Sequence, residues 1–571
     1  MTEIHGPPIN VHLPDDLTIP QFFLDSAHSL RPKRPLGVPW MIDDKTGRKI
    51  GYEELRARTH GLANALSMRY GIGVYIQHMA DYAPVVWAIH RLGAIVSTAN
   101  PAYTTEELVY QIELTKATTI IAHSTSLEVA ADAARQTGIP YERIVVIGDS
   151  PLRQFANVDE LVKEGLAARQ HYVERKLRPG EGKTKLAFLN FSSGTTGRPK
   201  AVMISHYAPI ANAIQLALHA RVGDTDRPRD KQRFRPGDLV SACLPFYHIY
   251  GLVIIIHSML YCGVTLVVVP KFSFVDFLES VSRHRITHLI LTVHGMLVPP
   301  IAVLLCKQDI VAKYDLSHVH YIVSGAAPLS GELVAQLADR FPNAQIGQGY
   351  GLTETSTSVS MFSPDRKVGV VGSSGTLAPG ITARVVRPDG SLAGVNEPGE
   401  LWLKSPALAL GYYNNPEATR ETFVDGWLRT GDEVRIDKDR EIFVLDRLKE
   451  LIKVRGFQVA PAELEGTLLM HPDIVDACVI PLPDEYNGEV PMAYVVLRPE
   501  VDERVRRDPA EATRVKVEII QHTAENKVAY KRLAGGVEFT DVIPKNPSGK
   551  ILRRVLRDRA KEKLAGMKAK L

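Results

Sequence analysis

The chain has 571 residues, which is more than a single hydrophobic core usually serves, so we expect two or more domains. Hydrophobic residues make up 45% of the chain and charged residues 23%, as is ordinary for a soluble globular protein. Its 68 basic residues exceed its 64 acidic residues by four, and this net charge of +4 is too small to indicate a nucleic-acid partner.

The cysteines and the ends of the chain bear on its compartment. The four cysteines are far apart and form no C-x-x-C pair, which indicates buried thiols in a reducing compartment. The longest apolar stretch, Leu252–Leu260 continued by Val264–Val269, is interrupted by polar residues and is shorter than the ~20 residues that span a bilayer. The N-terminus has no signal-peptide core.

The last three residues, Ala569-Lys570-Leu571, resemble the Ser-Lys-Leu peroxisomal address. We therefore expect a peroxisomal protein whose partner is the peroxisomal import receptor. A lysine-rich tail can end this way by chance, so a cytoplasmic location is the alternative.

Apolar runs and helical segments alternate from the N-terminus to about residue 445, which is an α/β pattern. The spacing of apolar residues predicts helices over Tyr52–Tyr70 and Val85–Ile95. Thr118–Ala122 and Ile144–Ile147 are typical of buried parallel strands. The charge-dense segment Asp224–Arg235 is predicted to be a solvated loop.

A domain boundary is predicted at residues 446–449, which read D-R-L-K. Beyond it, Pro461 is expected to start a helix, and Ala477–Pro481 and Ala493–Leu497 are predicted strands of a small α+β domain. The basic segment Arg553–Lys563 is predicted to be a solvated helix.

The segment Phe191–Lys200 reads F-S-S-G-T-T-G-R-P-K and follows a short apolar strand at Leu186–Leu189. Its glycines let the backbone turn N–H groups toward an anion, its hydroxyls are short donors, and Lys200 adds a positive charge. This is the chemistry that holds a polyphosphate. The spacing is not that of G-x-x-x-x-G-K-S/T, and taken alone the loop could be a polar surface turn.

Further motifs follow in order. Leu244–Gly251 carries a histidine among aromatic residues, and Ser324–Pro328 is predicted as a tight turn from strand to helix. Gln348–Glu354, Q-G-Y-G-L-T-E, offers glycines beside a tyrosine, a threonine for phosphate and a carboxylate for Mg²⁺. Trp427–Asp432 is expected to present a carboxylate after a turn, where it can accept ribose hydroxyls. Pro544–Arg554 is a loop that contains Lys550.

Together, and in this order, these motifs resemble the adenylate-forming enzymes, and most of all acyl-CoA synthetases of the 4-coumarate–CoA ligase and luciferase branch. The resemblance covers about residues 190–554. It implies a large N-terminal domain of two αβ-layered sheets and a distorted β-barrel (1–445), a hinge (446–449) and a small mobile α+β domain (450–571). It also implies two half-reactions. A carboxylate attacks MgATP to give acyl-AMP and pyrophosphate, and CoA thiolate then displaces AMP. The co-substrates are thus ATP, Mg²⁺ and CoA, with no tightly bound prosthetic group.

The resemblance also implies roles for individual residues. The residues expected in catalysis are Lys550, Lys453, Gln458 and His248. Those expected to bind ATP and AMP are Ser192, Ser193, Gly194, Thr195, Thr196, Lys200, Gln348, Gly349, Tyr350, Gly351, Thr353, Asp432 and Arg447. The expected acyl pocket is formed by His248, Tyr250, Ile254, Gly325, Ala326, Gly351, Thr357 and Ser358. Residues expected to contact CoA are Lys271, Arg455 and Gly456, while Lys449 is the hinge and Glu354 the metal ligand.

Two departures from the family pattern stand out: an apparent deletion near residues 71–78 and an apparent insertion near 292–297. Thr357-Ser358 replaces the Pro-Val of plant hydroxycinnamate ligases, which argues against strict coumarate specificity. We expect an aryl or arylalkanoic acid as substrate, with a medium-chain or long-chain fatty acid as the alternative.

Other functions remain open at this stage. They are a luciferase-like oxygenase, an inactive nucleotide-binding paralogue, and a carrier-loading adenylation domain. Of these, we expect a stand-alone enzyme and not a carrier-loading adenylation domain, because no carrier domain follows Leu571.

Overall fold

The computed structural model describes residues 3–568 apart from 72–73, 78–81, 149–153, 193–198, 225, 270–271, 293–300, 326–330, 456, 485 and 546–550. Within these residues, the strands form four sheets, and helices pack on the sheets. The α-helices are Tyr52–Tyr70, Tyr82–Arg91, Thr105–Thr115, Leu127–Thr137, Val158–Ala167, Tyr207–His219, Phe274–His284, Ile301–Lys307, Gly331–Arg340, Pro416–Thr422, Pro461–Met470, Pro499–Arg507, Pro509–Asn526 and Arg553–Lys568. Two π-helices span Gln21–Asp25 and Tyr250–Met259 in the described chain. Short 3₁₀ turns span Ser124–Ser126, Tyr141–Arg143, Glu181–Lys183, Arg229–Lys231, Asp309–Lys313, Thr353–Thr355 and Ala529–Lys531.

The first sheet is parallel except at the edge strand Lys200–Ser205, which runs antiparallel to its neighbour. In spatial order its strands are Lys200–Ser205, Leu186–Ser192, Ile95–Thr98, Val74–Gln77, Thr119–His123, Ile144–Ile147 and Ala156–Asn157. The buried strands predicted near residues 118–122 and 144–147 are therefore present. Ile144–Ile147 is buried throughout, as expected for a strand covered on both faces.

The second sheet has a parallel centre and antiparallel ends. In spatial order its strands are Thr376–Leu377, Thr357–Met361, Gln345–Leu352, Tyr321–Gly325, His288–Thr292, Leu239–Ala242, Thr265–Val268, Met41–Asp43 and Lys49–Ile50. The helix Tyr207–His219 and the π-helix Tyr250–Met259 pack together in the largest hydrophobic core, which joins the first two sheets.

The third sheet is antiparallel, and the distorted barrel implied by the resemblance stays a prediction. Its strands are Ile4–His5, Thr382–Val386, Gly399–Lys404, Trp427–Ile436 and Phe423–Val424, with Ile442–Arg447 paired to Trp427–Ile436. The fourth sheet belongs to the C-terminal part of the chain and has its own core. Its strands are Phe457–Val459, Ile452–Val454, Gly488–Leu497 and Ile474–Asp484, with Val537–Phe539 paired to Gly488–Leu497.

The apparent deletion near residues 71–78 leaves the strand Val74–Gln77 in place between Ile95–Thr98 and Thr119–His123. The flanking residues 72–73 and 78–81, and the insertion from residue 293 onward, lie outside the described residues.

The second predicted helix has different bounds in the structure. It spans Tyr82–Arg91, and Ile95 instead begins a strand. The reason is Gly93, whose φ of +71° lies in the left-handed region and ends the helix.

The prediction of a solvated loop over Asp224–Arg235 is wrong for Arg233, which is 2% exposed. Its guanidinium carbon lies 4.1 Å from the ring centroid of Phe362, and its nitrogens donate to the backbone oxygens of Phe362 and Ser363. A guanidinium can be buried in this way because the aromatic face and carbonyl oxygens replace its hydration.

All four cysteines are free thiols, with Cys262 and Cys478 buried and Cys243 and Cys306 partly buried. Within the described residues, no helix is both long and apolar enough to span a membrane.

Candidate active site

A cavity of about 1150 Å³ opens where the first three sheets meet the C-terminal part of the chain. Most of the residues singled out from the sequence line it. They are Ser192, Lys200, His248, Tyr250, Ile254, Gly325, Gln348, Gly349, Tyr350, Gly351, Thr353, Glu354, Thr357, Ser358, Asp432, Arg447 and Lys449. The predicted residues Ser193, Gly194, Thr195, Thr196, Lys271, Ala326, Gly456, Lys550 and the Ala569–Leu571 terminus lie outside the described residues.

One end of the cavity carries an acidic and a basic residue on neighbouring strands. Asp432 lies within the strand Trp427–Ile436, and the expectation that it follows a turn is wrong; its register partner is Arg447. Arg447 Nε lies 3.3 Å from Asp432 Oδ1, and the hydroxyl of Tyr350 donates to Oδ2 over 2.5 Å. Asp432 is paired on one side only, because the register with the strand Gly399–Lys404 shifts here and the backbone N–H of Asp432 instead donates to Thr430 Oγ1 over 3.1 Å. This cluster can accept hydrogen bonds from vicinal hydroxyls.

A second group of charged residues lies where the phosphate loop ends. Lys200 begins an edge strand and is paired in register with Ser192. Glu354 faces the same cavity, and its Oε1 accepts a hydrogen bond of 2.8 Å from the hydroxyl of Tyr412. The sequence interpretation missed Tyr412, which lies 58 residues from Glu354 along the chain. This arrangement can hold an anion together with a divalent cation.

His248 lies at the junction with an apolar part of the cavity. Burial lowers its pKa to about 4, so the imidazole is neutral near pH 7. Its Nδ1 accepts the backbone N–H of Tyr250 at 3.3 Å, so Nε2 carries the ring proton. That nitrogen can donate to an oxygen of a carboxylate or of an acyl group.

Aromatic residues form much of the apolar wall. Phe234, Tyr250 and Tyr321 line it, and the rings of Phe234 and Tyr321 meet edge to face at a centroid distance of 5.4 Å. Phe234 and Tyr321 were missed in the sequence, where nothing separates them from other core aromatics. Arg233 lies behind the wall, 5.1 Å from the ring centroid of Tyr321.

Two glycines of the cavity lining stand where a Cβ would crowd a neighbouring residue. A Cβ at Gly325 would lie 3.3 Å from the hydroxyl oxygen of Tyr250, and one at Gly351 would lie 1.7 Å from the backbone oxygen of Thr357. Thr357 itself has a φ of +110°, a conformation that is strained for a β-branched residue and is held by its surroundings.

The C-terminal part of the chain presents two different faces. Lys545 and the segment Ile551–Arg554, which flank Lys550, line the cavity. Lys453 and Gln458 are opposite each other on the hairpin formed by Ile452–Val454 and Phe457–Val459, and both are exposed. The structure therefore brings Lys545 and Ile551–Arg554, and not the Lys453 hairpin, to the cavity.

Arg553 contradicts the prediction of a wholly solvated tail helix. Its NH2 atom donates to both carboxylate oxygens of Glu465, at 2.8 and 2.7 Å, and its NH1 atom pairs with Glu450. Charge-assisted hydrogen bonds to two carboxylates stabilise a buried guanidinium. Arg553 therefore ties the start of the helix Arg553–Lys568 to Glu450 and to the helix Pro461–Met470.

The chain matches the family model described as AMP-binding enzyme over residues 31–413, and the AMP-binding enzyme C-terminal domain over 463–550. It is 37% identical to 4-coumarate–CoA ligase-like 2 of Arabidopsis thaliana, covering 94% of this chain and 91% of that protein. It is also 37% identical to peroxisomal OPC-8:0-CoA ligase 1 of the same plant, covering 90% and 89%.

Among solved structures, it superimposes on o-succinylbenzoate CoA synthetase (MenE) from Bacillus subtilis in complex with the acyl-adenylate OSB-AMP. The TM-score is 0.71 at 26% identity, covering 91% of this chain and 96% of the other. Fold and site thus define an adenylate-forming ligase. The chain belongs to the AMP-binding enzyme family and is an AMP-forming acid–CoA ligase, which uses ATP and proceeds through an acyl-AMP.

Proposed function

We propose that this ligase joins an aryl or arylalkanoic acid to CoA. The observation that carries the proposal is that three groups of residues line one cavity. They are the pair Asp432 and Arg447, the charged residues Lys200 and Glu354, and the aromatic wall of Phe234, Tyr250 and Tyr321. Asp432 and Arg447 bind the ribose, and the ring of Tyr350 packs against the adenine between Gly349 and Gly351. Gln348 completes the nucleotide contacts beside this segment.

The phosphates lie against the hydroxyl-rich loop. Ser192, Thr353 and Lys200 donate to them, with Ser193–Thr196 as further donors in the loop itself. Lys550 bridges the α-phosphate and the attacking carboxylate, because both carry negative charge that must be neutralised in the transition state.

Glu354 is the proposed Mg²⁺ ligand. A carboxylate facing a phosphate site fits this cation, which prefers one or two carboxylates together with phosphate oxygens. Bound there, Mg²⁺ would neutralise phosphate charge, with Glu354 holding the cation and Lys200 donating to the phosphates.

The acid enters beside His248, whose Nε2–H donates to the carboxylate and orients it toward the α-phosphate. Tyr250, Ile254, Gly325, Thr357 and Ser358 enclose the acyl group, with Ala326 at the following position. The aromatic wall favours a planar ring as substrate because rings stack at low entropic cost. The aliphatic residues Leu216, Met259 and Ile290, which line the same cavity, favour a medium-chain fatty acid as the second candidate.

The second half-reaction needs another arrangement. CoA must reach the position of Lys550, so the small domain rotates about Lys449 and brings Lys453 and Gln458 to the acyl-AMP. Lys271 and Arg455 then meet the CoA phosphates, and Gly456 lines the entry channel. The exposed position of the Lys453 hairpin supports this order of events.

The proposed location is the peroxisome, through binding of Ala569–Leu571 to the import receptor. Similarity to a relative named as peroxisomal supports it.

The test is a panel of aryl, arylalkanoic and fatty acids of increasing length, scored by pyrophosphate release and by acyl-CoA in the same samples. We expect aryl or arylalkanoic acids to give the highest kcat/KM. A preference for octanoate over every aryl acid would reverse the choice of substrate. Binding of ATP without pyrophosphate release from any acid would indicate an inactive paralogue, and light emission with a luciferin would indicate an oxygenase.

A further inference from the structure

Tyr412 contacts two charged residues of the site at once. Its hydroxyl donates to Glu354 Oε1 over 2.8 Å, and Lys200 Nζ lies 4.8 Å from the centroid of its ring. The tyrosine is 7% exposed. One buried side chain therefore joins the residue assigned to the metal with a residue assigned to the phosphates.

The backbone fixes Tyr412 in this position. Tyr412 forms an antiparallel bridge with Val202, in the strand that begins at Lys200. The nearby Ala409 N–H donates to the backbone oxygen of Glu354 over 2.8 Å. The segment Ala409–Tyr412 is therefore tied by its backbone both to Glu354 and to the strand that begins at Lys200. These two ties limit the movement of Tyr412 relative to either residue.

We propose that Tyr412 is a positioning residue for the adenylation half-reaction: it orients the Glu354 carboxylate toward the divalent cation and holds the Lys200 ammonium beside the phosphates. This inference rests on the proposed roles of Glu354 and Lys200.

The chemistry of the two contacts supports this assignment. A hydrogen bond to one oxygen of a carboxylate fixes the orientation of the other, and partners of this kind tune metal binding. A lysine ammonium on a flexible four-carbon stem gains a preferred position over an aromatic face.

Tyr412→Phe separates the two contacts, because it removes the hydroxyl and keeps the ring. We expect the Mg²⁺ concentration for half-maximal pyrophosphate release to rise about 10-fold. Calorimetric titration of Mg²⁺ into enzyme with α,β-methylene-ATP should show the same weakening without turnover. Conversion of supplied acyl-AMP to acyl-CoA should be unchanged. Tyr412→Leu, which also removes the ring, should raise the KM for ATP in addition.

Tyr413→Phe is the matched control, since it removes a hydroxyl from the next residue and should leave both Mg²⁺ measurements unchanged. A double variant supplies the decisive comparison: in a Glu354→Gln background, Tyr412→Phe should change Mg²⁺ dependence less than about twofold, because the carboxylate that it orients is gone.

A wild-type Mg²⁺ dependence in Tyr412→Phe, or a full additional effect in the Glu354→Gln background, would overturn the inference while leaving the ligase function intact. Failure of the wild-type enzyme to form any acyl-AMP would instead overturn the proposed function on which the inference rests.

Discussion

The Nζ atom of Lys307 lies 2.6 Å from the backbone oxygen of Leu469, and it also donates to the backbone oxygen of Ile474. Leu469 lies in the last turn of the helix Pro461–Met470, at the negative end of the helix dipole. At the other end of this helix, the carboxylate of Asp446 accepts the backbone N–H of Ala462 at 3.1 Å. Lys307 and Asp446 both precede the proposed hinge residue Lys449 in the chain. Their charged side chains thus hold the two ends of the helix Pro461–Met470, which follows the hinge.

Lys307→Met should weaken this arrangement. Loss of a charged hydrogen bond at a helix terminus corresponds to about 1–2 kcal/mol, or roughly 5- to 30-fold. We expect acyl-AMP formation to slow by about that factor, with no loss in conversion of supplied acyl-AMP, measured by pyrophosphate and acyl-CoA release respectively. Lys313→Met, at an exposed lysine nearby, is the control. Equal slowing of both half-reactions would show that the contact does not select between domain arrangements.

Lys550→Ala and Lys453→Ala should have opposite effects on the two half-reactions. Lys550 is proposed to serve adenylation, so its loss should reduce pyrophosphate release by at least about 100-fold yet spare conversion of supplied acyl-AMP. Lys453→Ala should spare pyrophosphate release in a single turnover and slow thioester formation. If either variant loses both activities to the same extent, the rotation proposal fails.

Gly325→Ala should narrow the acyl pocket, because the new Cβ would lie 3.3 Å from the hydroxyl oxygen of Tyr250. The KM for bulky arylalkanoic acids should rise several-fold more than that for benzoate, with little change in the KM for ATP. Adding Tyr250→Phe should restore part of the loss, since it removes the crowded oxygen. An unchanged ranking of acids would place the acyl group elsewhere.

The free energy of unfolding should decrease as the pH is lowered through the range in which buried histidines stay neutral in the folded protein. Burial lowers the pKa of His248 to about 4, below the unfolded value of about 6.5. The unfolded chain therefore binds more protons between these pH values, and the free energy of unfolding decreases as pH falls from 6.5 toward 4. His248 should account for roughly 2 kcal/mol, allowing for the partial exposure of its side chain to the cavity.

Denaturant unfolding of wild type and His248→Asn across pH 7.5 to 4.5 tests this sign. The variant should depend less steeply on pH, so that the two curves converge in acid. Parallel curves would mean that His248 titrates normally in the folded protein.

Deleting Ala569–Leu571 should move the enzyme from peroxisomes to the cytosol without changing kcat or KM. Fluorescence of an N-terminally tagged protein reports the location, and Ala569→Ser is the matched control that should remain peroxisomal. An unchanged location after the deletion would remove the import receptor from the proposed partners.

Much of the fold and site follows from local sequence. The strands near Thr119–His123 and Ile144–Ile147 are continuous apolar runs, and the helix Pro461–Met470 begins at a proline, so periodicity and helix-start signals suffice for them. The helix Tyr82–Arg91 was misjudged because one glycine ends it where apolar periodicity continues.

The amino-acid sequence by itself therefore determined the family and its chemistry, and it predicts the groups that meet the nucleotide, because phosphate loops and hydroxyl-rich turns need particular residues at fixed short spacings. Tertiary structure alone decided that Tyr412 lies between Lys200 and Glu354, and that Lys307 reaches a helix 162 residues further along. The physical reason is that such contacts impose no local pattern: they exist only once distant segments pack together.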